Sequence, residues 1–134
     1  MIIWLASYPK SGNTLLRSMI SSYFFTKEGK FNLKILNNIN QFPDFKIFEN
    51  YGINTSNQME IVKNYINVQK QINIKDKNLI RFIKTHSAFR SINGYQFTDL
   101  NNTLGAIYIV RDPRSVAKSY ANHNQSYIER ASDR

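Results

Sequence analysis

The chain has 134 residues, enough for one domain or a piece of one, which excludes a long multidomain machine. Its 18 Lys and Arg outnumber 9 Asp and Glu, a formal net charge of +9 that favours polyanionic partners such as phosphates or nucleic acid without choosing between them. With 42% apolar and 13% aromatic residues a core can form without staples, and the lack of cysteine excludes disulfides, thiolate catalysis, zinc-thiolate sites and iron-sulfur clusters.

Taken in order, Met1-Ile2-Ile3-Trp4-Leu5-Ala6 has no basic leader and is halted by Ser7-Tyr8-Pro9-Lys10, too short for a signal peptide. No run approaches membrane-spanning length, so the expectation is a soluble, cytoplasmic protein. Residues 2–6 read as a buried parallel strand, followed by a polar loop over 7–13. From Thr14 a helix is predicted with Leu15, Leu16, Met19, Ile20, Tyr23 and Phe24 on its apolar face and Arg17 pointing elsewhere. Residues 27–57, with Pro43 and Gly52, read as mostly irregular with one short helix. Met59, Val62, Tyr65, Ile66 and Gln69 predict a helix over 58–72, and Leu79 to Lys84 a second strand. Ala106 to Val110 is the clearest strand, β-branched and aromatic. Arg111 ends it, Asp112 is placed to cap the next helix, Pro113 suits its first position, and Val116, Ala117, Tyr120 and Ala121 form its inward face. There is no internal repeat and no interdomain linker.

Strands alternating with helices predict an α/β fold, a mainly parallel sheet flanked by helices in three layers, with ligands bound beyond the carboxyl ends of the strands. Polar chemistry follows a strand at Ser7 to Thr14, Thr85 to Ser87 and Arg111 to Asp112, so these three places should open on one edge. The first loop suits an oxyanion through its backbone N–H groups and the helix dipole. Against the nucleotide-triphosphate pattern G-x-x-x-x-G-K-[ST] it keeps Gly12 and Thr14, but Ser7 and Asn13 replace the first glycine and the lysine, while Lys10 lies before the glycine. The bland reading of this loop is an ordinary strand-to-helix connection. Lys84-Thr85-His86 offers a general base with a neighbouring cation, although a histidine after a strand is often structural. Arg111 and Ser119 could grip a phosphate from two directions. Arg114 and Lys118 read as a solvated basic stripe, and His123 as a partner of a helix C-terminal end.

Together, Tyr8-Pro9-Lys10-Ser11-Gly12-Asn13-Thr14, Lys84-Thr85-His86 and Ile109-Val110-Arg111-Asp112-Pro113-Arg114-Ser115-Val116-Ala117-Lys118-Ser119, in this order, resemble the sulfotransferases that use 3′-phosphoadenosine 5′-phosphosulfate, PAPS. The resemblance implies a P-loop-like fold in which Lys10, Ser11, Gly12, Asn13 and Thr14 hold the 5′-phosphosulfate, and Arg111 with Ser119 the 3′-phosphate. It further implies His86 as general base, Lys10 at the bridging oxygen, Lys84 at the sulfuryl group, and no metal. The acceptor would be the hydroxyl or amine of a small molecule, carbohydrate or lipid, with residues 27–57 walling its pocket, and nucleic acid is not an expected partner. The family usually has Trp where this chain has Leu15, and its members continue to a later nucleotide-binding segment, so 1–134 is expected to be the N-terminal part of a single domain, incomplete at its C-terminal end. The competing readings are a nucleotide kinase or nucleotide-hydrolysing enzyme, which needs a lysine after Gly12 and an acidic metal ligand, a basic nucleic-acid-binding module, and an inactive fragment carrying the signature.

Overall fold

A computed structural model describes residues 1–75 and 79–124. In chain order, β1 (Ile2–Ser7) leads into α1 (Asn13–Phe25), followed by a 3-10 helix over Leu33–Asn38 and the short α2 (Phe45–Asn50). Next come α3 (Gln58–Lys63), α4 (Tyr65–Lys75) and β2 (Arg81–Thr85). A small antiparallel hairpin of β3 (Ser91–Ile92) and β4 (Tyr95–Gln96) precedes β5 (Thr103–Ile109) and α5 (Pro113–Asn124).

The expected α/β architecture is present: β1 lies between β2 and β5 in a three-stranded parallel sheet, and helices lie on both of its faces. Ala6 pairs with Thr85 and Ser7 with Ile109, so all three strands end on one edge. Beside β2, residues 40–42 act as a one-bridge strand: the Lys84 N–H donates to the Asn40 carbonyl and the Phe42 N–H to the Lys84 carbonyl, both at 2.8 Å. That pairing occupies backbone groups which would otherwise form an open edge.

Alternation along β1 sends Ile2 and Trp4 to one face, where with Ile83 they meet Phe42, Phe48, Ile61, Val62, Tyr65, Val68 and Phe97 in the main core. Buried polar groups there are paired, as burial demands: the Trp4 indole N–H donates to Thr103 Oγ1 at 2.8 Å, and Gln69, fully buried, donates to the Phe97 carbonyl at 2.6 Å and accepts from the Thr98 hydroxyl. On the other face α1 covers β1 and the 3-10 helix, and Phe24 meets Phe82 with ring centroids 5.2 Å apart.

Several expectations change. The stripe Leu15, Met19 and Tyr23 of α1 is 67%, 62% and 79% exposed, while Asn13 and Ser21 are the helix's buried residues. The helix is seated by hydrogen bonds as much as by apolar contact, and Arg17 is turned inward rather than away, its Nη2 donating to the Leu36 and Ile39 carbonyls at 2.9 and 2.8 Å. Residues 27–57 hold two short helical segments rather than one. The predicted helix over 58–72 is two helices, because Asn64 ends α3 by donating from its backbone to Ile61 and starts α4 by accepting from Val68. The hairpin at Asn93-Gly94, with φ of 49° and 84°, was not expected, although Asn-Gly is the usual signal for that turn. Among the described residues no helix is long and apolar enough to cross a membrane.

Candidate functional site

The site is built on the carboxyl ends of β1, β2 and β5. After Ser7 the chain reverses through a turn in which the Ser11 N–H donates to the Tyr8 carbonyl at 3.2 Å. Two residues here are left-handed, Lys10 at φ 67° and Gly12 at φ 108°. Gly12 is required because a side chain at that φ is strained, and a left-handed lysine is itself uncommon. Gly12 caps α1 with no side-chain hydrogen bond, and no acidic residue occupies the first turn. The unpaired N–H groups of that turn and the positive end of the helix dipole are therefore free to meet an anion.

Asn13, expected to contact a ligand, turns its side chain the other way. It is buried, and its Nδ2 donates to the Leu5 carbonyl at 2.9 Å and to Ser7 Oγ at 3.0 Å, tying α1 to the end of β1. Only its backbone N–H is left for an anion. Ser11 is buried in the loop and Thr14 is exposed at the start of α1.

At the end of β2, His86 Nδ1 lies 2.7 Å from the Ser7 carbonyl and 3.3 Å from Ser7 Oγ. A carbonyl only accepts, so Nδ1 carries the proton and Nε2 is the basic nitrogen. Burial pushes His86 below its ordinary value of 6.5, the bond to the Ser7 carbonyl works against that, and the charge on Lys84 adds to it. The ring is thus neutral near pH 7 and can accept a proton. The Lys84 amine donates to Gln41 Oε1 at 2.9 Å, and burial first, then the Arg17 charge, lower its proton affinity.

At the end of β5, Arg111 Nη1 donates to the Lys10 carbonyl at 3.1 Å, so the left-handed lysine faces its carbonyl to the third strand end. Arg111 and Ser119 line one cleft of about 400 Å3 with Ser115, Lys118 and Asn122. Next to it Tyr8, Tyr108 and Val110 help line a more apolar cleft of about 460 Å3. Asp112 caps α5 as expected, accepting from the Arg114 N–H at 2.8 Å, and it also pairs with the Arg114 guanidinium, whose side chain stays solvated at 92% exposure.

The structure therefore brings the loop of Lys10, Ser11, Gly12 and Thr14 together with His86 through Ser7 and with Arg111 through the Lys10 carbonyl, and Lys84 and Ser119 lie on the same edge. Sequence reasoning missed Ser7, Arg17, Gln41 and Lys118. For Lys118 a signal existed, since Ser115, Lys118, Ser119 and Asn122 share one helical face. Among the described residues no group of three or more His, Asp or Glu side chains is placed to hold a metal ion.

The chain matches the sulfotransferase domain family over residues 2–133. It is 29% identical to the luciferin sulfotransferase of Photinus pyralis over 129 residues, 92% of this chain and 33% of that protein. The chain thus spans about a third of the length of this curated relative. No solved structure matches it.

Proposed function

The chain belongs to the sulfotransferase domain family, and from that premise we propose that it forms the N-terminal part of a domain that transfers a sulfuryl group from PAPS to the hydroxyl or amine of a small-molecule acceptor. The observation that carries this reading is the linkage of three strand ends around an uncapped helix N-terminus, through the His86 to Ser7 and Arg111 to Lys10 hydrogen bonds. The donor set fits a twofold anion: backbone N–H groups with Lys10 at one end, and Arg111, Lys118 and Ser119 around one cleft at the other.

PAPS would supply an activated sulfuryl group, whose transfer forms an acceptor O–S or N–S bond and breaks the S–O bond to the 5′-phosphate. The chain's own residues have separable tasks. Lys10 and the N–H groups of Ser11, Gly12, Asn13 and Thr14 bind the phosphosulfate end. Arg111 and Ser119 bind the 3′-phosphate. His86 takes the acceptor proton on Nε2, and Lys84 neutralises charge on the sulfuryl oxygens. A nucleotide kinase is disfavoured because Asn13, in the position of its lysine, is bonded into β1.

The test is transfer of radiolabel from PAPS to a panel of phenols, sterols, sugars and amines, alongside binding of adenosine 3′,5′-bisphosphate. Lys10→Ala and His86→Ala should abolish transfer. Arg111→Ala should weaken bisphosphate binding roughly ten- to a hundredfold, the loss expected for a charged hydrogen bond. Full transfer by the His86 variant would remove the base. RNA binding with a steep salt dependence and no affinity for the bisphosphate would replace the whole reading.

A further inference from the structure

The proposed base has an orienting device that none of the three motifs encodes as a unit. In serine-hydrolase chemistry a buried carboxylate holds the histidine tautomer; no carboxylate contacts His86 among the described residues, and the partner of its Nδ1 is Ser7. That residue is 4% exposed and offers two acceptors, its carbonyl at 2.7 Å and its hydroxyl at 3.3 Å. Ser7 is the last residue of β1, paired with Ile109 of β5, and stands directly before a loop containing a left-handed lysine and a left-handed glycine. Ser7 is held by Asn13, whose Nδ2 donates both to Ser7 Oγ and, two residues back along β1, to the Leu5 carbonyl. Asn13 is 5% exposed, and its Oδ1 has no partner among the described residues. Only one half of the carboxamide is satisfied, and that half faces the strand end that holds the histidine.

We propose that Asn13 and Ser7 are positioning residues for His86: the Asn13 carboxamide fixes the end of β1 so that Ser7 presents its carbonyl and hydroxyl to Nδ1, leaving Nε2 deprotonated at the mouth of the site. The proposal rests on the reading of His86 as base for its catalytic consequence, but not for its structural content. It also explains why an asparagine succeeds Gly12. A lysine has no acceptor-seeking planar amide to span Leu5 and Ser7, and its charge would be buried beside the ring whose neutrality the site needs. When Nε2 takes a proton, the imidazolium Nδ1–H bond to the Ser7 carbonyl strengthens, so the same contact serves both protonation states.

The chain has two histidines, so 15N-histidine NMR reads the His86 ring with one other signal to separate. The wild type should show Nδ1 protonated and Nε2 bare. Asn13→Ala, which keeps the backbone N–H proposed to meet the anion, should give a mixture of tautomers and a kcat about tenfold lower, a fraction of the roughly 10²–10⁴ that a placed base supplies, a loss larger than any change in affinity for adenosine 3′,5′-bisphosphate. Ser7→Ala, a second variant that leaves the carbonyl and the Leu5 bond in place, should shift the tautomer balance less, and Ser7→Thr should restore it. Wild-type tautomer in both alanine variants would overturn the proposal, as would a loss of transfer in Asn13→Ala matched by an equal loss of bisphosphate affinity, which would make Asn13 a ligand contact. If His86→Ala keeps full transfer while the tautomer still responds to Asn13, the base assignment falls and the positioning network stands.

Discussion

His86 is neutral near pH 7 for reasons that can be separated. Its position behind Ser7 removes water from the ring, and the ammonium of Lys84 disfavours a second positive charge nearby, while the Ser7 carbonyl opposes both. Proton uptake by a base is possible only from its neutral form, so kcat/KM should rise with pH and level off through a midpoint below 6.5. Lys84→Met removes one lowering charge, so the His86 titration followed by NMR should move upward; an unmoved midpoint would mean the Lys84 charge is not felt at the ring. The same depression links to stability. Above its unfolded value the neutral ring costs nothing, but as pH falls from about 6.5 through the lower folded value the unfolded chain binds the proton more readily, and stability is lost. That Lys10, His86 and Arg111 stand just past the ends of β1, β2 and β5 was legible in the sequence because each follows an apolar run. The inward turn of Asn13 was not, because the same residue type after Gly12 could face ligand or strand, and the choice depends on hydrogen bonds to Leu5 and Ser7 that only the fold brings within reach.

Among the elements, α1 shows most clearly how a pattern can be read with the wrong side inward. Its apolar spacing is helical, and the helix is there, but its polar face seats it: Asn13 on β1 and Arg17 on the end of the 3-10 helix. Arg17 donates to the Leu36 carbonyl, which also accepts from the Ile39 N–H, and to the Ile39 carbonyl just past the 3-10 helix, and the segment leaving that helix runs directly into residues 40–42, which pair with both sides of Lys84. A charged donor bond contributes roughly 1.5–3 kcal/mol, and the buried Arg17 Nε has no partner among the described residues, which pulls the net toward the lower end. Arg17→Met, which keeps most of the apolar stem, should therefore destabilise the chain by about 2 kcal/mol in urea unfolding. Amide exchange at Phe42 and Lys84 should quicken more than at Trp4. Uniform quickening would indicate only a general loss of stability, and unchanged exchange would mean that Arg17 does not hold the outer strand segment.

For the molecule as a whole, the parallel sheet and the shared edge of the three strand ends followed from strand-loop-helix order, because parallel crossovers place every such loop on the same side. Which strand is central did not follow. β1 is flanked on both sides and has Ile2, Trp4 and Leu5 fully buried, whereas the equally apolar β5 is an outer strand with Tyr108 67% exposed. β-branched and aromatic composition reports a pleated strand, not how much of it is covered. The consequence for function is that the site's parts belong to strands joined, on this edge, by a few side-chain bonds. An anion reaching from the α1 N-terminus to Arg111 and Ser119 would tie β1 to β5 in the folded chain and find no such arrangement in the unfolded one. At 100 times its Kd, adenosine 3′,5′-bisphosphate should then stabilise the fold by about 2.7 kcal/mol and raise Tm by about 10 °C for a domain of this size. With a net charge of +9 any polyanion gives some upward shift at low salt, so the measurement belongs at high salt, where long-range attraction is screened. Under those conditions Arg111→Ala should lose most of the shift and an equal charge of inorganic sulfate should give little. A wild-type shift that vanishes with salt as fast as that of sulfate would mean that the three strand ends attract anions without forming one binding site.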